Sequence, residues 1–164
     1  MEAEKLIKNL CSSLEYRIGF VCSDINNDDA RWRPDNVKSP AIGWSVGHIV
    51  VCQDIIANNR ICKNSTLFED ELSDFRISTS GNFPEPFTLE ELLDKLTQVN
   101  GEIIKVAEKK NDNWLDDILD DGFPPTWNGK TIREGLILNF SHGFMHAGQI
   151  LEVKRMLGKG AWGV

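Results

Sequence analysis

The stretch TIREGLILNFSHGFMHAGQILEVKRMLG, residues 131–158, predicts the last helix of the chain and carries two of its three histidines. It opens with a capping box, in which the side chains of Thr131 and Glu134 satisfy the first backbone N–H groups of a helix. It ends at Gly158, a residue type that is favoured directly after a helix because it adopts a left-handed conformation without strain. We therefore predict one helix from Thr131 to about Leu157.

Two helices are predicted in the first third of the chain. The first runs from about Ala3 to Ile25, where leucine, isoleucine and valine recur at steps of three and four residues. The second begins at SPAIGW, with Ser39 as its N-cap and Pro40 at the first helical position, where a missing N–H group costs nothing. It continues through an apolar segment to about Cys62.

The remaining helix lies in the middle of the chain. It begins with a second capping box, formed by Thr88 and Glu91, and runs to about Lys109. With this segment the sequence contains four amphipathic helices, and no alternating apolar run is long enough for a sheet. This pattern predicts an all-α fold, a four-helix bundle.

The segments between the helices contain many turn-forming residues. Between the first two helices lies NNDDARWRPDN, residues 26–36, which predicts turns. The loops between helices 2 and 3 (63–87) and between helices 3 and 4 (111–130) are about 20 to 25 residues long. Loops of that length are usually functional or stabilised by their own packing, and we expect them to act as lids at one end of the bundle.

Length, composition and charge limit the class of protein. With 164 residues, 41% of them hydrophobic, residues 1–164 are expected to form a single globular domain. The formal net charge is −7, and no basic cluster offsets it, so nucleic-acid binding is not expected. The first 20 residues lack the unbroken apolar run of a signal peptide, and no segment is apolar enough to cross a bilayer. We expect a cytoplasmic protein with no membrane association.

The three histidines are the candidate functional residues. His142 and His146 are four residues apart, so they share one helix face and can reach one metal ion. His48 lies among apolar residues in the second helix, in GWSVGHIVVCQD, which indicates that it faces the bundle interior, where metal sites are built. Three histidines with an open position are typical of catalytic zinc. From the residues alone, buried histidines that contribute only to packing are an equally good interpretation.

Two observations restrict the metal hypothesis. A metalloprotease of the H-E-x-x-H type requires a glutamate directly after the first histidine, and this chain has Gly143 there. The four cysteines form no C-x-x-C pair and are expected to be small buried hydrophobes. Cys52 follows His48 by one helical turn, so a role as fourth ligand is an alternative, although it would close the position that catalysis needs.

Five further residues are candidates near this site. Gln149, three residues after His146, either orients a histidine or a substrate, or is an ordinary polar residue at the helix seam. Asp54 could accept a hydrogen bond from an imidazole, although its position on the helix is unfavourable. Trp114, Phe123 and Trp127 could form an apolar wall over the metal; anchoring of the loop to the core is the simpler interpretation.

Two stretches of this chain together resemble the DinB-like superfamily of metalloenzymes, also called DinB/YfiT-like. PAIGWSVGHIVVCQD is similar to the first signature, which has a Trp shortly before a Gly-His pair; the last helix is similar to the second, which has H-x-x-x-H followed by Gly-Gln. RWRPDN, residues 31–36, also resembles the family's segment between helices 1 and 2. The matching residues are Trp44, Gly47, His48, His142, His146, Gly148 and Gln149.

The resemblance implies a four-helix bundle in which His48, His142 and His146 bind a divalent metal ion, usually zinc or nickel. It also implies a homodimer. Relatives of this kind include metal-dependent thiol transferases, such as bacillithiol S-transferases, and a mycothiol-dependent maleylpyruvate isomerase. We therefore expect a small-molecule enzyme of the thiol S-transferase type that uses a low-molecular-weight thiol. The alternatives are a metal-dependent hydrolase and a non-catalytic metal-binding or dimerisation module.

Overall fold

The computed structural model describes residues 2–35, 38–120, 123 and 125–160 of the chain. Asn36 of the RWRPDN segment and three residues of the loop between helices 3 and 4 lie outside this part. The described residues form five α-helices, four of them long, and no strand. Their bounds are α1 Glu2–Cys22, α2 Asn27–Arg31, α3 Ile42–Cys52, α4 Leu89–Ala107 and α5 Ile132–Met156. The predicted all-α fold is therefore confirmed.

Helices α1 and α5 pack side by side and run in the same direction. At their first turns Arg133 forms an ion pair with Glu2, with 2.9 Å between nitrogen and oxygen. At their last turns the buried Nζ atom of Lys154 donates a hydrogen bond of 3.3 Å to the carbonyl oxygen of Val21. The two predicted capping boxes are both present, so α4 and α5 begin where the sequence indicated.

Helix α4 runs antiparallel to α1. Lys8, near the start of α1, pairs with Glu108 directly after α4, and Asn100 donates a hydrogen bond of 2.8 Å to Glu15. Helix α3 runs antiparallel to α5, because Gln53 at the end of α3 contacts Asn139 near the start of α5. The long helices therefore run up, down, down and up along the chain, and α3 and α5 are the neighbours that carry the histidines.

The start of α3 differs from the prediction. Its N-cap is Ala41, without a side-chain hydrogen bond, rather than Ser39, and Pro40 precedes the helix. The reason is tertiary: Ala41 donates a backbone hydrogen bond of 2.8 Å to Gly81, and Arg33 donates one of 2.9 Å to the carbonyl of Ser39. These bonds hold the segment extended until Ile42, where the helix begins.

The segment after α1 also differs from the prediction. Helix α1 ends at Cys22, three residues before the predicted end, and the turn-rich stretch contains the short helix α2. Asn26 and Asp29 form a capping box there, with hydrogen bonds of 2.9 and 3.1 Å in the two directions. Turn-forming residues and helix N-caps are the same residue types, so the two are hard to separate from sequence.

Helix α3 continues without a break into a wider π-helical segment, Gln53–Ile61. Its last turn is closed by a bond of 3.0 Å from the N–H of Cys62 to the carbonyl of Ala57. The predicted second helix therefore ends close to where the sequence indicated, but with a different geometry. Such segments are rare and often occur at functional sites.

The loop from 62 to 88 packs directly on the first turns of α3. Phe75 and Phe83 lie so close to the helix that a Cβ atom at Gly47 or Gly43 would approach their rings to 2.3 and 2.1 Å. No Cβ atom fits at either position, so both residues must be glycine. Their lack of a side chain lets the loop pack next to His48. Within the part of the chain that the structure describes, every helix is too short or too polar to span a membrane.

Candidate metal centre

His48 lies in the middle of α3, and its side chain is held from two sides. Its Nδ1 atom is 2.7 Å from the carbonyl oxygen of Phe75, in the loop that follows the π segment. Because a carbonyl group only accepts, Nδ1 carries the proton and Nε2 keeps a free lone pair. The imidazole also stacks on the indole of Trp44, with 4.8 Å between the ring centroids and planes 9° apart. These contacts orient Nε2 as a possible ligand.

His142 and His146 lie one turn apart on the same face of α5, as their spacing predicted, and their rings meet edge to face. Their Nε2 atoms are 3.1 Å apart. The ring centroid of His48 lies 5.3 Å from that of His142 and 4.9 Å from that of His146. One nitrogen from each of the three imidazoles lies within 4.8 Å of the others. The structure therefore brings the three predicted histidines together.

This arrangement fits a divalent ion. With Zn–N bonds of about 2.0–2.1 Å, tetrahedral geometry separates two ligand nitrogens by about 3.3 Å. The observed 3.1 Å between His142 and His146 is close to that value. Among the described residues, no carboxylate or thiol joins the group of three. The cluster could therefore hold a metal ion through three nitrogen ligands.

Burial lowers the pKa of all three imidazoles. For His146 the neighbouring charges that His142 and His48 would carry add to burial, and its pKa falls to about 4. The pKa of His142 is lowered by burial and by His48, and that of His48 by burial, which the carbonyl of Phe75 partly opposes. The three side chains are therefore neutral at pH 7, the form in which imidazole binds metals.

Cys52 lies beside the cluster. Its Sγ atom is 3.5 Å from Nε2 of His48, but it does not belong to the group whose atoms all lie within 4.8 Å of one another. Burial raises the pKa of the thiol to about 12, so it stays protonated. These observations favour the interpretation in which Cys52 is not a fourth ligand.

Gln149 lies on the exposed side of α5 next to His146. Its side chain is close enough to favour the protonated form of that imidazole and so to oppose the lowering of its pKa. The Nδ1 atom of His146 is nevertheless buried and has no partner at hydrogen-bond geometry in the described part of the chain. If Nδ1 of His146 carries the proton, a small movement of Gln149 would bring its carboxamide oxygen into position to accept a hydrogen bond from that N–H group.

Asp54 does not contact an imidazole, so its suggested role as a histidine partner is wrong. Its carboxylate is fully buried and accepts backbone hydrogen bonds from Leu67 and Phe68, both of 2.8 Å at Oδ2. Oδ1 accepts a further bond of 2.9 Å from Asn58. Asp54 lies on a different face of the helix from His48. Its side chain therefore points away from His48 and toward the loop, which it anchors.

A cleft of about 600 Å³ opens beside His48 and His142. That volume is in the range of small-molecule sites in proteins. Its walls come from the second half of α3, the π segment, the loop after it, Trp127 and the first half of α5, and most of the lining side chains are apolar. The other lining residues are Val51, Cys52, Ile55, Ile56, Arg76, Ile77, Trp127, Leu138 and Asn139.

The suggested aromatic wall is present in part. Trp127 lines the cleft, and Phe123 stacks on it with 5.6 Å between centroids and planes 7° apart. Trp114 is buried elsewhere, where Lys110 covers its ring at 5.7 Å. The simpler interpretation, a loop anchor, therefore applies to Trp114.

Two residues of this site were not found from the sequence. Asn139 and Gln53 are both buried, and Nδ2 of Asn139 donates a hydrogen bond of 3.1 Å to Oε1 of Gln53. Asn139 precedes His142 by three residues and so shares its helix face, which was an available signal. The position of Gln53 could not be predicted in the same way, because this residue lies where the π-helical segment changes the helical periodicity.

Comparison with protein families gives one match, over residues 17–150, to the DinB superfamily. The matched region contains all three histidines and α3 through most of α5. Comparison with curated proteins gives no match. Since the match covers most of the sequence and agrees with the helical fold, the chain belongs to the DinB superfamily.

Proposed function

We propose that this protein is a metal-dependent enzyme of the thiol S-transferase type. The observation that carries the proposal is the convergence of three neutral imidazoles, two of which, His48 and His142, line a mostly apolar cleft. Structural zinc normally has four protein ligands, whereas three ligands leave room for a substrate. Membership of the DinB superfamily supports the same conclusion.

His48, His142 and His146 would hold the ion, and we propose zinc or nickel, since imidazole suits both. When bound, the divalent ion supplies Lewis acidity, which lowers the pKa of a coordinated thiol so that thiolate is available near neutral pH. In the overall reaction the thiol sulfur forms a bond to an electrophilic carbon, the leaving group departs with its bonding electrons, and the thiol proton passes to solvent.

The protein's own contribution is orientation and exclusion of water. The carbonyl of Phe75 keeps the proton of His48 on Nδ1, so the tautomer is set before any ligand binds. Gln149 is proposed to accept a hydrogen bond from Nδ1 of His146 and so to do the same on α5. The apolar side chains of the cleft, with Trp127 at one side, would cover the electrophile.

We also propose that the enzyme is a cytoplasmic homodimer. Ile137 and Met145, two turns apart on α5, are 44% and 51% exposed, and apolar side chains of this size are common in dimer interfaces. The four unpaired cysteines support a reducing compartment, in which low-molecular-weight thiols are abundant. Sedimentation at several concentrations of protein, with a Met145→Glu variant as comparison, tests the oligomeric state.

The first test is metal content. Tag-free protein, purified without chelator and incubated with zinc or nickel, should contain about one ion per chain. His48→Ala and His146→Ala should lose it while the helical content is retained. Ser141→Ala, next to His142 but exposed, is the matched control and should keep it. Full metal content in either histidine variant would contradict the proposed site.

The second test distinguishes the alternatives. Bacillithiol and other low-molecular-weight thiols should change the visible spectrum of the cobalt-substituted protein if a coordination position is open. A spectrum that responds to imidazole but to no thiol would favour a hydrolase. A spectrum that responds to neither would favour a non-catalytic protein with a structural metal ion. Three protein ligands argue against that role, because structural zinc normally has four.

A further inference from the structure

The carboxamide of Asn139 has one polar atom that no described residue satisfies. Its Nδ2 group donates to Gln53, as described above, whereas Oδ1 is buried and has no hydrogen-bond partner. The residue is 2% exposed, yet it lines the cleft. Buried acceptors without a partner are rare, because the free energy of their lost hydration is not recovered.

The position of Asn139 relates this free acceptor to the candidate metal centre. It lies three residues before His142 on α5, and both side chains line the cleft together with His48. The bond to Gln53, itself buried, holds the carboxamide so that Nδ2 faces α3. Oδ1 therefore belongs to a carboxamide in a fixed place, on the helical turn directly before His142.

The charges around the cleft indicate what kind of donor would meet this acceptor. Among the described residues that line the cleft there is no aspartate or glutamate, so they offer no counter-charge to a cationic ammonium group. Arg76, the one lysine or arginine among these described lining residues, is already paired with Glu69 at 2.8 Å. Since the remaining walls are mostly apolar, the surroundings favour a neutral donor on an apolar molecule.

We propose that Asn139 is a specificity-determining residue, which selects apolar molecules that carry a neutral hydroxyl or amide N–H group. Such a molecule fills the cleft with its apolar part and donates its hydrogen bond to Oδ1 of Asn139. The inference deepens the proposed function, since the cleft is the site where we place the electrophile. The acceptor and the cleft nevertheless exist in the protein without metal.

The test uses two probes that differ in a single donor, 6-fluoro-2-naphthol and its methyl ether, with binding followed by fluorine NMR in chelator-treated protein. The naphthol should bind at least about tenfold more tightly than the ether, since a hydrogen bond to an otherwise unpaired buried group has about that effect. In a variant that carries both Asn139→Leu and Gln53→Leu, the acceptor of Asn139 is gone and Oε1 of Gln53 is not left free to replace it, so the ratio should fall to about one. Asn113→Leu, an exposed position outside the cleft, is the control and should leave the ratio unchanged.

Each outcome decides the proposal. Equal binding of the two probes by the wild-type protein would overturn it and would indicate that a water molecule satisfies Oδ1. A preference that survives in the double variant would place the acceptor elsewhere, and lack of binding by both probes would mean that the cleft does not bind apolar molecules. The comparison of probes in the wild-type protein holds even if a variant fails to fold. Because no metal is present, failure here and failure of the metal site are separate results.

Discussion

The Nδ1 atom of His48 lies 2.7 Å from the carbonyl oxygen of Phe75, a residue 27 positions further along the chain. This single contact links the candidate metal centre to the loop between α3 and α4. The ring of Phe75 packs against the backbone of α3 at Gly47, directly before His48. Loop packing and imidazole orientation are therefore coupled.

A Gly47→Ala substitution should disturb this coupling. The added Cβ atom would lie 2.3 Å from the Phe75 ring, so the loop must move and the bond to His48 should lengthen. We expect metal affinity to fall by about 10- to 100-fold, as for loss of other partners of ligating histidines, and stability by about 1–3 kcal/mol. Competition with a chromophoric chelator measures the affinity, and urea unfolding the stability.

Gly101→Ala is the matched control for this experiment. Gly101 also lies inside a helix, but a Cβ atom there would meet nothing within 4 Å. Alanine is favoured over glycine in helices, so this variant should gain up to about 1 kcal/mol and bind metal normally. If the two variants behave alike, the close packing of Phe75 is not what orients His48.

Asp54 should matter for stability rather than for catalysis directly. Asp54→Asn replaces one of the two accepting oxygens with an NH2 group, which then faces another donor: the backbone N–H groups of Leu67 and Phe68 in one orientation, or Nδ2 of Asn58 in the other. We expect a loss of about 2–3 kcal/mol in urea unfolding, because these bonds are buried and charge-assisted. Asp70→Asn, exposed in the same loop, is the control and should change stability by less than about 0.5 kcal/mol. A small effect at Asp54 would mean that the loop is anchored by other contacts.

The pKa of His146 predicts how the stability of the metal-free protein depends on pH. In the folded chain this pKa is lowered from 6.5 to about 4, so the unfolded chain binds the proton more readily. The stabilisation is present above pH 6.5 and is lost as pH falls toward 4, by up to about 3 kcal/mol. Urea unfolding of chelator-treated protein across this range should show the loss, and His146→Asn should show a smaller one. Equal slopes for the two proteins would contradict the assignment.

Two cysteine variants address the fourth-ligand alternative. Cys52→Ser should keep about one metal ion per chain, because Sγ lies outside the three-nitrogen group. Cys62→Ser is the matched control, since burial raises the pKa of its thiol to about 12 as well, and it lies elsewhere in the core. Metal loss in Cys52→Ser alone would make Cys52 a ligand after all.

The success and failure of the sequence predictions follow from the range of the interactions involved. The capping boxes at Thr88 and Thr131 depend on residues three positions apart, and both are present. The predicted cap at Ser39 is wrong because Gly81, distant in sequence, accepts a backbone hydrogen bond from Ala41, and Arg33 donates one to the carbonyl of Ser39. Asp54 was assigned to the wrong partner for the same reason, since the backbone groups that it accepts from belong to a loop without periodic signal.

The amino-acid sequence by itself determined the four long helices and the placement of His142 and His146 one turn apart on the same helix face, because periodicity and capping act within a few residues. The tertiary structure decided which nitrogen of His48 faces the cluster, where the cleft opens and that one acceptor of Asn139 is left free. These features depend on how α3, α5 and the loop after α3 pack together. Such contacts join residues far apart in the chain, and their geometry exists only once the bundle has formed.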